Sequence, residues 1–459
     1  MKTISAETLC AAVGGEWLFG DGASAVTGLT TDSRVVRAGE VFLPVIGERF
    51  DGHDYIGAAL AAGASGCLCA RVPEQYQEGK FYIRVADTRL ALKALAQWYR
   101  AQFSIPFVQL TGSVGKTTTK EMVARVLSEH VETLWTEGNL NSDLGVPQTL
   151  LRLDDTHRAA VIETGMDHFG QIRALGEMVR PDIALITNIG DAHIEFLGSR
   201  EGILQAKCEI FEALAPDGLA VLNGDDPLLN TVTLPQRVVR CGLGEGCDVR
   251  VSEVAERGVA GVDCTVTTAR AVYRLAIPAP GAHMIYPAAM AVAVGEALGL
   301  SAEEITRGVA QYAPSGNRMR VERLPGGRVL LNDSYNASPQ AMEAAVRILA
   351  SGGTGKRIAM LGDMKEIGDA SEECHRRIGQ LVGELGVDTL FCVGPDCRAY
   401  LLPEAQRCGC TDAHWYETKE AAYPDLVAAY TEGSTLLLKA AHFSGRFDLV
   451  ADYLRAYPF

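Results

Sequence analysis

From Pro106 onward, short apolar runs recur between longer stretches with helical periodicity, and that alternation restricts the fold more than any other feature. Ala159-Ala-Val-Ile, Ile183-Ala-Leu-Ile and Leu219-Ala-Val-Leu are each apolar throughout, and Phe107-Val-Gln-Leu is apolar but for Gln109. Strands that show no polar alternation are covered on both faces, so the pattern predicts a mainly parallel sheet sandwiched by helices. A cluster of turn residues, Ala313-Pro-Ser-Gly-Asn317, interrupts it. Beyond that point it restarts with Arg328-Val-Leu-Leu, Arg357-Ile-Ala-Met-Leu, Thr389-Leu-Phe-Cys-Val and Thr435-Leu-Leu-Leu. Ser338-Pro339 supplies an expected N-cap and first-turn proline for a helix over Gln340 to Leu349. The residues before Pro106 mix short strands with Gly- and Asp-rich turns, and Leu90 to Phe103 reads as a helix. A chain of 459 residues has room for about three domains. The expected class is therefore α/β in three parts: a small N-terminal α/β domain (1–104), a central P-loop ATPase-like domain with a mostly parallel sheet (105–314), and a C-terminal Rossmann-like domain (315–459).

Charge and cysteine usage exclude some functions. Lys and Arg number 42 against 57 Asp and Glu, a net charge of −15. Such a balance opposes general binding to nucleic acid or anionic membranes. The N-terminus has no apolar stretch behind positive charge, and no run is long enough to span a bilayer. The expectation is a cytoplasmic protein with its 12 cysteines reduced. Cys392, Cys397, Cys408, Cys410 and His414 have spacings outside the usual structural zinc patterns, which favours plain thiols.

Thr111-Gly-Ser-Val-Gly-Lys-Thr-Thr-Thr119 lies between an expected strand and a helix bearing Met122, Val123, Val126 and Leu127. Backbone N–H groups of such a loop, with the helix N-terminus, cradle phosphate oxygens. Lys116 would neutralise phosphate charge, and the Thr117 hydroxyl can reach Mg²⁺. Leu110 replaces the first glycine of the longer motif, leaving G-x-x-G-K-T. This loop indicates a nucleotide, not a reaction.

Glu163 ends one strand and His193 follows another, both on the edge where a parallel sheet binds ligands. Glu163 is either a metal ligand or a solvated strand end; His193 is either a contact to metal or substrate or a structural histidine. Lys207 falls in the middle of the apolar stripe Ile203, Leu204, Ile210, Phe211 and Leu214 of a helix expected over Glu201 to Leu214. It either snorkels or has a modified amine. Arg318 and Asp333 are candidates for contacts across a cleft between domains, and Leu361-Gly-Asp-Met-Lys-Glu-Ile-Gly368 is a further polar loop at a strand end.

With these residues in place, the chain resembles the ATP-dependent Mur ligases over its whole length. The resemblance rests on Thr30-Thr-Asp-Ser-Arg34, Asp51-Gly-His-Asp54, the phosphate loop, Gly138-Asn-Leu-Asn141, Glu163-Thr-Gly-Met166, Asn188-Ile-Gly-Asp-Ala-His193, Asn332-Asp-Ser-Tyr-Asn-Ala-Ser-Pro339 and Leu361-Gly-Asp-Met-Lys-Glu366. Among those ligases it is most similar to the one that joins D-alanyl-D-alanine to UDP-N-acetylmuramoyl-tripeptide through an acyl phosphate. The resemblance implies that Ser33, Arg34, Asp51, Gly52 and His53, with Asn139 and Asn141, bind the precursor. It implies that Gly112, Ser113, Gly115, Lys116, Thr117, Thr118, Arg318 and Asp333 bind ATP. Two Mg²⁺ ions are expected on Thr117, Glu163, His193 and a carbamate formed on Lys207; Lys116, Glu163, His193 and Lys207 are the expected catalytic set. A monomer is expected. Met284 and Pro287 depart from the family pattern, in Gly281-Ala-His-Met-Ile-Tyr-Pro287, and Lys439-Ala-Ala-His442 matches a family loop only at its lysine.

Overall fold

The computed structural model describes residues 1–47, 50–441 and 445–459, so His442 lies outside the described residues. Three sheets of more than two strands organise it. The first contains, in spatial order, Glu16–Phe19, Phe81–Arg84, Gly66–Cys69, Glu40–Phe42 and Gly28–Thr30, parallel except at the Glu16–Phe19 edge. The helix Thr88–Arg100 starts where Asp87 accepts hydrogen bonds from the N–H groups of Arg89 and Leu90. Its Leu92 and Leu95 share one apolar core with Ile162 of the next sheet and Leu175 of the helix Gln171–Val179. At its end the buried Arg100 guanidinium donates to the carbonyls of Phe103, Val179 and Arg180 and stacks on Phe107 at 3.5 Å. Those contacts satisfy a buried cation and fasten the first sheet to the second.

The second sheet has nine strands. Thr133–Trp135, Ala159–Glu163, Phe107–Thr111, Ile183–Ile186, Leu219–Asn223, Arg237–Gly242 and Val249–Glu256 run parallel. Val262–Thr267 and Val272–Ile277 continue the sheet antiparallel. The helix Lys116–Ser128 buries Met122, Val123, Val126 and Leu127 on this sheet, each contributing about 1.5–3 kcal/mol. The helix Ile285–Ala297 is buried on nearly every side, as its Ala, Val and Met content requires.

The third sheet orders Arg320–Leu324, Arg328–Asn332, Thr435–Lys439, Arg357–Gly362, Thr389–Val393 and Ala413–Tyr416, with only the first strand antiparallel. The helix Pro339–Gly352 begins with Pro339 in its first turn, but the Ser338 side chain makes no capping hydrogen bond; the fixed proline φ starts the helix instead.

One expected helix is divided. Arg200–Cys208 is α-helical, and Glu209–Ala213 tightens to 3₁₀ geometry. There Glu209 accepts hydrogen bonds from the N–H groups of Gly170 and Arg173, at the start of the helix Gln171–Val179. A carboxylate at that helix start satisfies its free donors and faces the positive end of its dipole. Cys392, Cys397 and Cys410 are buried thiols. Among the described residues, no helix is long and apolar enough to cross a membrane.

Candidate active site

The strand Phe107–Thr111 lies between Ala159–Glu163 and Ile183–Ile186, so the loops leaving these strands meet at one edge of the sheet, where chain order changes direction. A cavity of about 880 Å³ opens there. Its walls include the phosphate loop from Ser113 to Thr118, together with Asn139, Asn141, Glu163, His193, Arg318 and Asp333. Of the predicted nucleotide and metal residues, all but Gly112 and Lys207 line this cavity, from loops of the central and C-terminal domains.

Each loop conformation has a local cause. Gly112 has φ +153°, and a Cβ there would stand 1.8 Å from the Thr187 hydroxyl. Gly115, at φ +82°, precedes the helix in left-handed geometry open to glycine without strain. The Lys116 ammonium donates to the Gly112 carbonyl at 2.7 Å. Burial holds its pKa below the ordinary lysine value, Glu163 opposes that, and Arg318 adds to it.

Glu163 is buried, and its backbone N–H donates to the Thr136 hydroxyl at 3.0 Å. Asn141 donates through Nδ2 to Glu163 Oε1 at 2.8 Å. Oε2 has no hydrogen-bond partner. A buried carboxylate oxygen without a donor is suited to a cation.

Lys207 is 1% exposed, and no hydrogen-bond or ion-pair partner for its ammonium is found among the described residues. Burial pushes its pKa well below the ordinary value, and Lys116 pushes the same way. It does not line the cavity. Burial of nearly the whole side chain argues against the snorkelling alternative.

His193 has φ +65°, and its Nδ1 lies 2.9 Å from Glu366 Oε2, off the line of a well-formed hydrogen bond. Arg318 stacks on Tyr335 at 3.7 Å. Asp333 accepts from the Met319 N–H at 2.9 Å and pairs with the Lys439 ammonium at 2.5 Å. Lys439 is buried and also donates to the Asn336 carbonyl at 3.0 Å. Asp333 thus orders the segment that carries Arg318, while its own charge is already matched.

The predicted precursor residues form a separate group. Ser33 and Arg34 lie in a turn where Arg34 donates to both Asp32 oxygens, at 2.9 and 2.7 Å, and those bonds hold Asp32 at about 2. Asp51 accepts from the His53 N–H, and its Oδ1 is 2.6 Å from His53 Nδ1. The Ala70 N–H donates to His53 Nε2 at 3.0 Å, which leaves the ring proton on Nδ1. Both nitrogens of this buried ring are used inside the fold, and a Cβ on Gly52 would meet the Val45 backbone at 2.6 Å. Ser33, Arg34, Asp51, Gly52 and His53 do not line the cavity.

Sequence reasoning missed several wall residues. Arg89 and Lys93, one turn apart on Thr88–Arg100, reach the mouth, where Arg89 pairs with Asp143 at 2.7 Å. Their i, i+4 spacing, which puts both cations on one face of the helix, is the signal that marks them. Met284 and Pro287 are buried against the cavity.

Three family descriptions match the chain: Mur ligase family, catalytic domain, over 25–100; Mur ligase middle domain over 110–295; and Mur ligase, glutamate ligase domain, over 317–442. The UDP-N-acetylmuramoyl-tripeptide--D-alanyl-D-alanine ligase of Bacillus subtilis (strain 168) is 34% identical over 438 residues, covering 94% of each chain. The crystal structure of MurF from Acinetobacter baumannii superposes with a TM-score of 0.89 at 32% identity, covering 99% of both chains. MurF ligase from Thermotoga maritima in complex with ADP superposes at 0.80 with 28% identity, over 93% of this chain and 96% of that one. With a nucleotide loop, a buried carboxylate that keeps one oxygen without a donor, and relatives aligned along nearly its whole length, the chain belongs to the Mur ligase family.

Proposed function

We infer that this chain is an ATP-dependent ligase joining D-alanyl-D-alanine to UDP-N-acetylmuramoyl-tripeptide, acting as a cytoplasmic monomer in peptidoglycan precursor synthesis. The carrying observation is the convergence of Lys116, Glu163, His193 and Arg318 on one cavity, in a chain aligned almost end to end with relatives bearing that ligase name. Residues 1–104 hold the UDP precursor, 105–314 the ATP, and 315–459 close over both. Ser33, Arg34, Asp51 and Gly52 present the precursor surface, and His53 shapes it from below.

The acceptor carboxylate and the γ-phosphate are both anions, so their approach needs positive charge fixed in advance. Lys116 supplies it from the phosphate loop, and Arg318 supplies it from the third sheet. Asn141 holds Glu163 with one oxygen free. Thr117, Glu163, His193 and a carbamate on Lys207 would hold two Mg²⁺ ions; in support, Glu163 Oε2 has no donor and the buried Lys207 has another cation, Lys116, as its neighbour. When bound, Mg²⁺ supplies Lewis-acid charge neutralisation at phosphate oxygens. Burial of Lys207 keeps more of its amine neutral, the form that reacts with CO₂.

The acceptor carboxylate oxygen bonds to the γ-phosphorus as the bond to ADP breaks, giving an acyl phosphate. The dipeptide amine then attacks the acyl carbon, loses a proton, and expels phosphate as the amide forms. Wall residues from all three domains keep water from hydrolysing the acyl phosphate first.

Mass spectrometry of reactions with ATP and UDP-MurNAc-tripeptide tests this reading, using acceptors with lysine or diaminopimelate as third residue. D-alanyl-D-alanine is expected to yield UDP-MurNAc-pentapeptide. Formation of a tripeptide from UDP-MurNAc-dipeptide and a single amino acid, with no pentapeptide, would overturn it.

A further inference from the structure

The segment Asn188–His193 holds two parts of the molecule at once. On one side it fastens the phosphate loop. The Ser113 N–H donates to the Asn188 carbonyl at 3.1 Å, the Val114 N–H donates to Asn188 Oδ1 at 2.9 Å, and the Gly190 N–H donates to Ser113 Oγ at 2.9 Å. On the other side it meets the third sheet's domain. Gln340 donates through Nε2 to Asp191 Oδ2, and Glu366 pairs with His193 at 2.9 Å. Gly190 is the narrowest point, because a Cβ there would stand 3.1 Å from the Gln340 side chain and 3.2 Å from that of Ser113. The same glycine is therefore pressed between the phosphate loop and the helix Pro339–Gly352.

The conformations agree with this reading. His193 and Glu366 both occupy left-handed backbone geometry, φ +65° and +61°. Residues with a Cβ persist there only where surrounding contacts over-determine them. Beside them Gly368 packs on Glu195, at 3.5 Å for an added Cβ. The loop Leu361–Gly368 thus has a task that no nucleotide contact explains.

We propose that Glu366 and Gln340 are positioning residues: by gripping His193 and Asp191 they set segment Asn188–His193, and through it the phosphate loop, when the C-terminal domain docks. This coupling belongs to the ligand-free protein, so its test stands apart from the ligase reading.

Amide hydrogen exchange on the ligand-free full chain tests it, comparing wild type with E366A, Q340A and the double variant. Exchange over 112–118 is expected to quicken about tenfold in the double variant, because a locally held segment is released. Exchange in strands Arg357–Gly362 and Thr389–Val393 stays as in wild type, and each single variant falls between. The size-matched E366Q also quickens 112–118. Unchanged exchange over 112–118 in the double variant would overturn the proposal. So would quickening there only in step with the two C-terminal strands, which marks general loss of fold.

Discussion

Asn141 and Glu163, 22 positions apart in the chain, meet through one hydrogen bond of 2.8 Å that commits Glu163 Oε1 and leaves Oε2 without a donor. The amide orients the carboxylate but does not neutralise it. Removing the charge while keeping the shape should therefore cost more than removing the orienting amide. Glu163→Gln is expected to lower kcat about 10²–10³-fold, the range for losing one electrostatic stabiliser of a transition state. Asn141→Ala should lower it about tenfold, the cost of a misplaced catalytic group. Steady-state phosphate release checks the order; equal losses would mean that Asn141 acts on substrate directly.

Lys207 carries a buried amine without a partner among the described residues, and burial with the nearby Lys116 disfavours its charged form. Its folded pKa lies below the unfolded value, so between those two values the unfolded chain binds more protons, and stability rises with pH. Lys207→Met removes this burden. In bicarbonate-free and metal-free buffer near pH 7 it should stabilise the central domain by about 1–3 kcal/mol, the cost of an unpaired buried polar group. Activity should be lost. Short carboxylic acids should restore part of the rate to Lys207→Ala but none to Lys207→Met, whose side chain fills the space. Thermal melts with and without these acids, paired with rate assays, measure both effects.

Gly112 leaves no room for a side chain, with the Thr187 hydroxyl 1.8 Å from the Cβ position. Gly112→Ala should weaken ADP binding about 100-fold by pushing the loop off its phosphate-binding shape, a loss near 2.7 kcal/mol. Thr187→Ala in the same chain opens that space and should recover part of the affinity. Titration calorimetry on the single and double variants gives the answer.

Much of this site was legible before any coordinates. The strand–glycine loop–helix unit is local, because its residues are neighbours in the chain and each has a distinct conformational reason to be there. Lys207 stood out because a charge in the middle of an apolar stripe breaks the helical pattern. Asn141–Glu163 and His193–Glu366 were not legible, since each pair is brought together only by tertiary packing. Glu366 is also a common residue in an uncommon backbone geometry, which composition does not reveal. The resemblance gives Asp333 a contact to ATP; its pairing with Lys439, which ends the strand Thr435–Lys439, is a tertiary contact that the sequence does not display. The alternating run Val262-Asp-Cys-Thr-Val-Thr carries the period-two signal of the antiparallel edge.

That Asp333–Lys439 pair has its own consequence. Asp333→Ala strands a buried ammonium and should destabilise the C-terminal domain by about 3–5 kcal/mol. Asp333→Ala with Lys439→Met should regain most of that loss, because no charge is then left unpaired. Urea unfolding followed by intrinsic fluorescence checks the recovery; a double variant less stable than either single change would contradict it.

The central claim is that fixed positive charge around Lys116 lets a carboxylate attack the γ-phosphate. Transfer of ¹⁸O tests that step most directly. With both oxygens of the acceptor peptide's terminal carboxylate labelled, the account predicts one labelled oxygen in each phosphate released, formed only when D-alanyl-D-alanine is present to complete the turnover. Phosphate released without label, alongside normal amide product, would contradict it.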